Sequence, residues 1–523
     1  MKKIGLFLLC LGAIFSVAWG NEPVAPFELQ PQAGPHSGQI DTFVFGQLKT
    51  LGIQPANPCS DAVFVRRVYL DVIGTLPTAQ ETVKFLEDKT PDKRATLIDQ
   101  LLARDEFADY WGMKWGDLLR VKAEFPVNLW PEAAMAYDRW IRDSLRKNMP
   151  YAQFARELLT ASGSNFRDPE VNFYRSAGSR DPKAIVKAVA LTFMGERTEN
   201  WSPEKIKDMA TFFSPIAFKA TGEWKEEIVS FNGFNQSTWA ATTAKLPDGT
   251  TVELAADKDP RVVFTDWLVS SPNSPFAANA VNRVWYWLMG RGIVQEPDDI
   301  RPDNPPVNPE LLAWLSRELV SSNYDMKHIF RLILNSDAYQ LSCIPAANDP
   351  RGADNFAFHP LRRMEAEVLI DAIDQITGGK EAYSSITPEP YTFLPDNTRA
   401  IDLPDGSITS SFLELFGRPA RDTGLLSERN DRPTPAQRLH LLNSAHIEDK
   451  IMKSEKLRTV FTSNPIPLQT ATQLYLTILS RYPSPEELDA LHAYSQTSES
   501  KGWQVWYDLA WALMNSSEFL YRH

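Results

Sequence analysis

The chain has 523 residues, enough for two or three domains, and 43% of them are hydrophobic, with 15 Trp. Its formal net charge of −12 excludes a general nucleic-acid binder, because such a protein needs a basic face to displace phosphate counterions. It holds only three Cys and no Cys-x-x-Cys, which excludes a four-thiolate zinc site.

Taken in chain order, residues 1–20 read as a secretory signal peptide. Lys2 and Lys3 form the basic start, Ile4 to Val17 the apolar run, and Ala18-Trp19-Gly20 a small-x-small cleavage site. The run is short for a membrane span, so the chain reads as exported to the periplasm or cell surface, with no transmembrane segment after cleavage; an uncleaved anchor is the alternative. Cleavage takes the net charge from −12 to −14 by removing Lys2 and Lys3, and leaves Cys59 and Cys343. In an oxidising compartment these two could pair, closing a loop of more than half the chain that a chain-entropy model values at about 5 kcal/mol. Two isolated thiols are the alternative. Residues 21–40, rich in Pro, Gly and Gln, read as a flexible leader.

Residues 41–213 read as an N-terminal helical domain. Phe64, Val68 and Val72 recur at i, i+4, i+8. Gly74 supplies a left-handed stop, and Thr78 with Glu81 forms a capping box for the next helix. Residues 214–257 read as a β insertion or linker. In it Glu227–Phe231, Thr242–Leu246 and Thr250–Leu254 are strand-like, with Pro247-Asp248-Gly249 as a turn. Residues 258–523 read as a C-terminal helical domain with long surface loops at 382–430. Asn308-Pro309-Glu310 opens one helix there, and Ser484-Pro485 with Glu487 caps another.

One pattern is written more than once. Val68–Glu81 aligns without a gap against Leu474–Glu487, and Val284–Arg291 is a partial copy. The helix ends Leu101–Phe107, Leu334–Tyr339 and Leu513–Phe519 also resemble one another. The expected fold is mainly α: two helical domains with internally similar helix pairs and a small β-hairpin insertion.

Candidate sites are few. Asn282, Arg283, Arg291, Asp298 and Asp299 could form a polar cleft if Arg283 and Arg291, two turns apart, share a helix face; the competing reading is an Arg network tying helix ends together. His359, close to Arg363, Glu365 and Glu367, could act in acid–base chemistry, although two carboxylates two residues apart point away from each other on a helix. The catalytic candidates are thus Arg283, Arg291, His359 and Glu365, and the binding candidates Asn282, Arg283, Arg291, Asp298 and Arg363. His440 and His446 lack a helix-borne metal spacing, and no residue set predicts a metal. Trp111, Trp115, Trp130 and Trp140 could stack sugars, but helix-spaced aromatics belong mostly to cores.

Several motifs carry a family resemblance. Phe64-Val65-Arg66-Arg67-Val68-Tyr69-Leu70-Asp71, Leu76-Pro77-Thr78 and Phe154–Gly163 resemble the N-terminal domain of planctomycete cytochrome-associated secreted proteins of unknown function. Val281-Asn282-Arg283-Val284-Trp285, Gly290-Arg291-Gly292, Arg362–Glu367, Arg432–Gln437 and Leu441–Ser444 resemble its C-terminal partner domain. The resemblance implies export and frequent fusion to a haem-binding module, and no activity. Related N-terminal domains carry Cys-x-x-Cys-His-x-His-Pro where this chain has Met194-Gly195-Glu196-Arg197-Thr198-Glu199-Asn200 before Trp201. Without those thiols and imidazoles, neither covalent haem nor zinc is expected there. The leading expectation is an extracytoplasmic binding or assembly factor with no prosthetic group and an exported protein or glycan as partner. The alternatives are an enzyme acting on surface polysaccharide and a redox accessory to an exported cytochrome.

Overall fold

The computed structural model describes residues 38–231, 241–272, 274–388, 390–463, 466–497 and 502–523. The predicted signal peptide and nearly all of the leader lie outside them. The first helix among the described residues, Gln39–Leu51, begins inside the predicted leader because Ile40 and Asp41 are buried; the Asp41 carboxylate accepts the Ala338 amide at 3.0 Å.

Most of the described chain is helical, and the predicted starts and stops account for how. Ser60 caps the helix Asp61–Ile73 by accepting from the Val63 amide, and Gly74 ends it at φ 61°, a conformation that suits a residue without a Cβ. Thr78 and Glu81 exchange the two hydrogen bonds of a capping box at the head of Ala79–Glu87. Ser484 and Glu487 do the same for Pro485–Ser495. Asn308 accepts from the Leu311 amide to open Pro309–Ser321. Gly290 (φ 71°) and Ser480 (φ 58°) stand in the left-handed region where Gly74 does in the first copy.

Asp61–Ile73 is buried round nearly its whole circumference, not on one face only. Its charged residues explain how that is tolerated. Arg66 donates to the carbonyls of Ile478 (2.8 Å) and Phe519 (3.0 Å). Arg67 donates to those of Tyr339 (2.7 Å), Leu341 (2.9 Å) and His523 (2.8 Å). A guanidinium stays charged when buried, so acceptors such as these must offset the cost of taking it out of water.

One apolar cluster runs from Ile40 to Phe519 among the described residues. Trp111, on Asp105–Leu118, donates to the Val72 carbonyl at 3.0 Å and packs on Phe330 (4.5 Å) and Trp287 (5.1 Å). Tilted aromatic pairs of this kind add about 0.5–1.5 kcal/mol each beyond their burial. Residues far apart in sequence therefore share one interior.

The strand region is larger than the hairpin reading. Thr242–Lys245 and Thr251–Leu254 pair antiparallel around Pro247-Asp248-Gly249, as that turn dictates. Glu227–Phe231, however, is the centre of a separate three-stranded sheet between Gly163–Ser164 and Ile216–Ala220. The segment 382–430 is irregular, as its Pro and Ser content implies, but does more than wrap the surface. Ile401, Ile408, Phe412 and Phe416 are buried, and Asp405 accepts the Ala123 amide at 2.8 Å. No helix of the described residues is long and apolar enough to cross a membrane.

Candidate functional site

The residues predicted to form a polar cleft separate. Gly290 ends the helix Phe276–Met289, so Arg283 and Arg291 do not share a face. Arg283 turns inward, donates to the carbonyls of Leu191 (2.5 Å) and Thr192, and pairs with Asp298 at 3.0 Å. Asn282 brackets Val294, accepting from its amide and donating to its carbonyl. Asp298 also accepts the Leu426 amide at 2.7 Å. These three join elements together and are all buried. Arg291 pairs with Asp354 at the surface, 3.2 Å apart.

His359 is fully buried against the edge of Tyr339, and neither ring nitrogen has a hydrogen-bond partner among the described residues. Burial, with Arg67 and Arg362 nearby, holds its pKa well below the ordinary range, which favours the neutral ring. Cys59 and Cys343 are buried and not joined in a disulfide. The chain pairs Pro58 with Leu341, and the Cys59 amide donates to the Gln340 carbonyl, so the two thiols sit out of register. Trp111 and Trp115 are core residues. Where the resemblance expects Cys and His, Glu196 accepts from the Trp201 indole (2.8 Å) and from Lys205 (3.2 Å).

Two predicted residues do meet at an opening. A cleft of about 390 Å³ is lined by Gly290, Pro360–Arg363, Glu365, Leu425, Leu426 and Arg429, with Lys114 and Asp117 from the other half of the sequence. Arg363 and Glu365 belong to it. Glu365 is the cap residue of Ala366–Thr377, with extended backbone (ψ 154°), so the rule that sends i and i+2 apart on a helix does not apply. Glu365 and Glu367 instead feed one ionic network.

In that network Lys114 contacts Glu365 directly. Glu365 also accepts from Arg522 (3.2 Å) and from the Tyr110 hydroxyl (3.0 Å). Arg522 continues to Asp71 at 3.0 Å, and Asp71 accepts the Tyr339 hydroxyl at 3.0 Å. Arg429 bridges Asp117 (2.7 Å) and Glu367 (2.6 Å), and Arg421 adds a second contact to Asp117 at 2.9 Å. Burial alone would raise the Glu365 carboxyl, but Lys114, Arg522 and Arg429 hold it well below its usual range. Burial lowers the Lys114 ammonium to about 8, against the pull of Glu365.

Arg362 and Arg363 are arranged differently. Arg362 donates to the carbonyls of Trp287 (2.7 Å) and Leu288 (2.8 Å), the negative end of Phe276–Met289. Arg363 donates to the carbonyls of Met364, Phe416, Asn430 and Asp431. Arg362 also lies 3.4 Å from the Asp71 carboxylate, whereas carbonyl dipoles hold the Arg363 guanidinium without cancelling its charge. At the mouth Arg432 is exposed and has no ion pair among the described residues.

Sequence reading missed Lys114, Asp117, Arg429 and Arg522, which come together only through the fold. One signal was present: Asp71 and Lys114 each interrupt an apolar helical run, Val68-Tyr69-Leu70-Asp71-Val72-Ile73 and Trp111-Gly112-Met113-Lys114-Trp115. A charge inside such a run needs a buried partner.

Residues 39–211 match the family model described as protein of unknown function DUF1549, PSCyt2, and residues 260–495 match that of protein of unknown function DUF1553, PSD1. No curated protein and no solved structure matches the chain. The cleft takes Lys114 and Asp117 from the first match, its lining residues from Tyr286 to Pro433 from the second, and Tyr521 from beyond both. The chain thus carries a DUF1549 domain followed by a DUF1553 domain, the N- to C-terminal order of that paired-domain family of unknown function.

Proposed function

We propose that this chain is an extracytoplasmic binding or assembly factor that carries no prosthetic group of its own and works through the cleft between the DUF1549 and DUF1553 segments. The observation that supports it is the state of the cleft's inner carboxylates. Asp117 and Glu365 are each held by two cations, so neither is placed to exchange a proton with a substrate. The open wall offers Tyr286, Pro360, Leu361 and Arg432, a mixture suited to holding a guest. The signal-like leader and the resemblance support export.

The test is capture from a periplasmic or cell-surface extract by wild-type protein and by Leu361→Trp. Leu361 is 57% exposed and lines the cleft, so a larger side chain there obstructs it while leaving the core alone. The expected outcome is a protein or glycan recovered by the wild type and depleted with the variant. Equal recovery by both, or no partner at native abundance, counts against the reading.

One observation favours an enzyme acting on surface polysaccharide instead. Lys114, lowered to about 8, is able to take a proton near neutral pH. That reading predicts a modified polysaccharide product whose rate of formation rises with pH through about 8 and disappears in Lys114→Arg.

A further inference from the structure

We infer that the cleft is an oxyanion site for a sugar acid, a pyranose ring bearing a carboxylate, with the acid group seated on the cationic wall at Arg363 and Arg432. The inference rests on the reading of the cleft as the working site and names what enters it.

The charge balance carries the argument. Lys114, Arg362, Arg363, Arg429 and Arg432 line the cleft against Asp117, Glu365 and Asp431. Behind the lining stand Arg418, Arg421 and Arg522 against Asp71 and Glu367. Eight cations thus face five carboxylates, in a molecule whose overall charge is −12. The excess is local and structural. Arg362 shares Asp71 with Arg522 at 3.4 Å, but Arg363 satisfies its hydrogen bonds on carbonyls and Arg432 has no ion pair among the described residues, so the positive charge of these last two is left for a guest to neutralise. Low-dielectric walls focus such a field into the opening. Arg and Lys donors toward a carboxylate form the stronger, charge-assisted class of hydrogen bond.

The rest of the lining argues for a ring. Tyr286 and Tyr521, with Pro360 and Pro433, give apolar surfaces for the C–H face of a pyranose beside the cations. A volume of about 390 Å³ falls in the small-molecule range, too confined for a docked helix or added strand.

Titration calorimetry of the full chain with D-glucuronate and with D-glucose tests this. Glucuronate should bind at least about tenfold more tightly than glucose at low salt, as a charge-assisted contact implies, and the preference should shrink as salt is added. Arg432→Glu, at an exposed position that threatens no core contact, should weaken glucuronate about tenfold and leave glucose unchanged. Equal binding of the two sugars overturns the inference, as does glucuronate affinity untouched by Arg432→Glu. Preference for a Glu-rich peptide over glucuronate also overturns it. If Leu361→Trp abolishes partner capture while glucuronate fails to bind, the working-site reading stands and the sugar acid falls. If glucuronate binds while capture ignores Leu361→Trp, the working-site reading falls on its own.

Discussion

Two corners of this molecule are built from the same contacts and differ in who supplies the cation. In the first, Arg104 bridges Glu81 (2.9 Å) and Glu106 (2.5 Å) and lies over the ring of Tyr69 at 5.8 Å. In the second, Arg481 bridges Glu487 (2.7 Å) and Glu518 (2.6 Å) and lies over Tyr475 at 5.3 Å. The tyrosines and glutamates occupy matching positions of the repeated pattern. The arginines do not: Arg104 sits at the helix junction before Glu106, whereas Arg481 follows the left-handed Ser480. The pairing of two carboxylates beside a tyrosine persists, and the arginine enters from either chain segment that reaches them. Burial separates the corners further. The Arg104 side chain is 33% exposed and that of Arg481 6%.

That contrast sets the order of expected effects. Arg481→Ala strands Glu487 and Glu518 with little water to replace the cation and should cost about 3–5 kcal/mol in urea unfolding; a loss under about 1 kcal/mol would mean that burial is not what distinguishes the corners. Removing either cap, by Thr78→Ala or Ser484→Ala, should cost about 1 kcal/mol by the same measurement, the two values agreeing because the cap geometry is shared. Arg104→Ala, in the wetter corner, should cost about 1 kcal/mol or less.

Acid provides the smallest and finest test. Burial raises the Glu81 carboxyl, but the Thr78 amide and hydroxyl and Arg104 outweigh it and leave it lowered. The bond from Arg104 lowers Glu106. A carboxylate held below its ordinary value contributes stability above that value and loses it as pH falls through the folded value. The stability gap between wild type and Arg104→Ala should therefore narrow as pH drops below about 4.5. A gap that stays constant from pH 7 to pH 3 would show that Arg104 acts through packing on Tyr69 alone.

Sequence reading reached the local grammar of the fold. Gly74, Thr78, Asn308 and Ser484 were legible because a cap involves residues within four positions, and the Pro247-Asp248-Gly249 turn for the same reason. The strand Ile216–Ala220 was not read, since its pairing with Glu227–Phe231 across an intervening turn gives no period long enough to stand out. The site was legible only in fragments. Arg363 and Glu365 were named and line the cleft; Arg291 and His359 were named too and stand apart from it, because neither the stop at Gly290 nor the depth at which His359 is buried follows from spacing. Lys114, Arg429 and Arg522 come from three distant parts of the chain, and only packing brings them together.

The carbonyl partners of Arg66 and Arg67 have a consequence for synthesis. Arg66 is linked to Phe519 across 453 positions, and Arg67 to His523 across 456. At ribosomal speeds of about 5–20 residues per second, roughly 20 to 90 seconds separate the arginines from these acceptors. During that interval the nascent Asp61–Ile73 helix has charged groups with no permanent home and an apolar surface with no cover. Its final docking belongs to the last steps of maturation, and a chaperone that shields this stretch would find its client early and release it late.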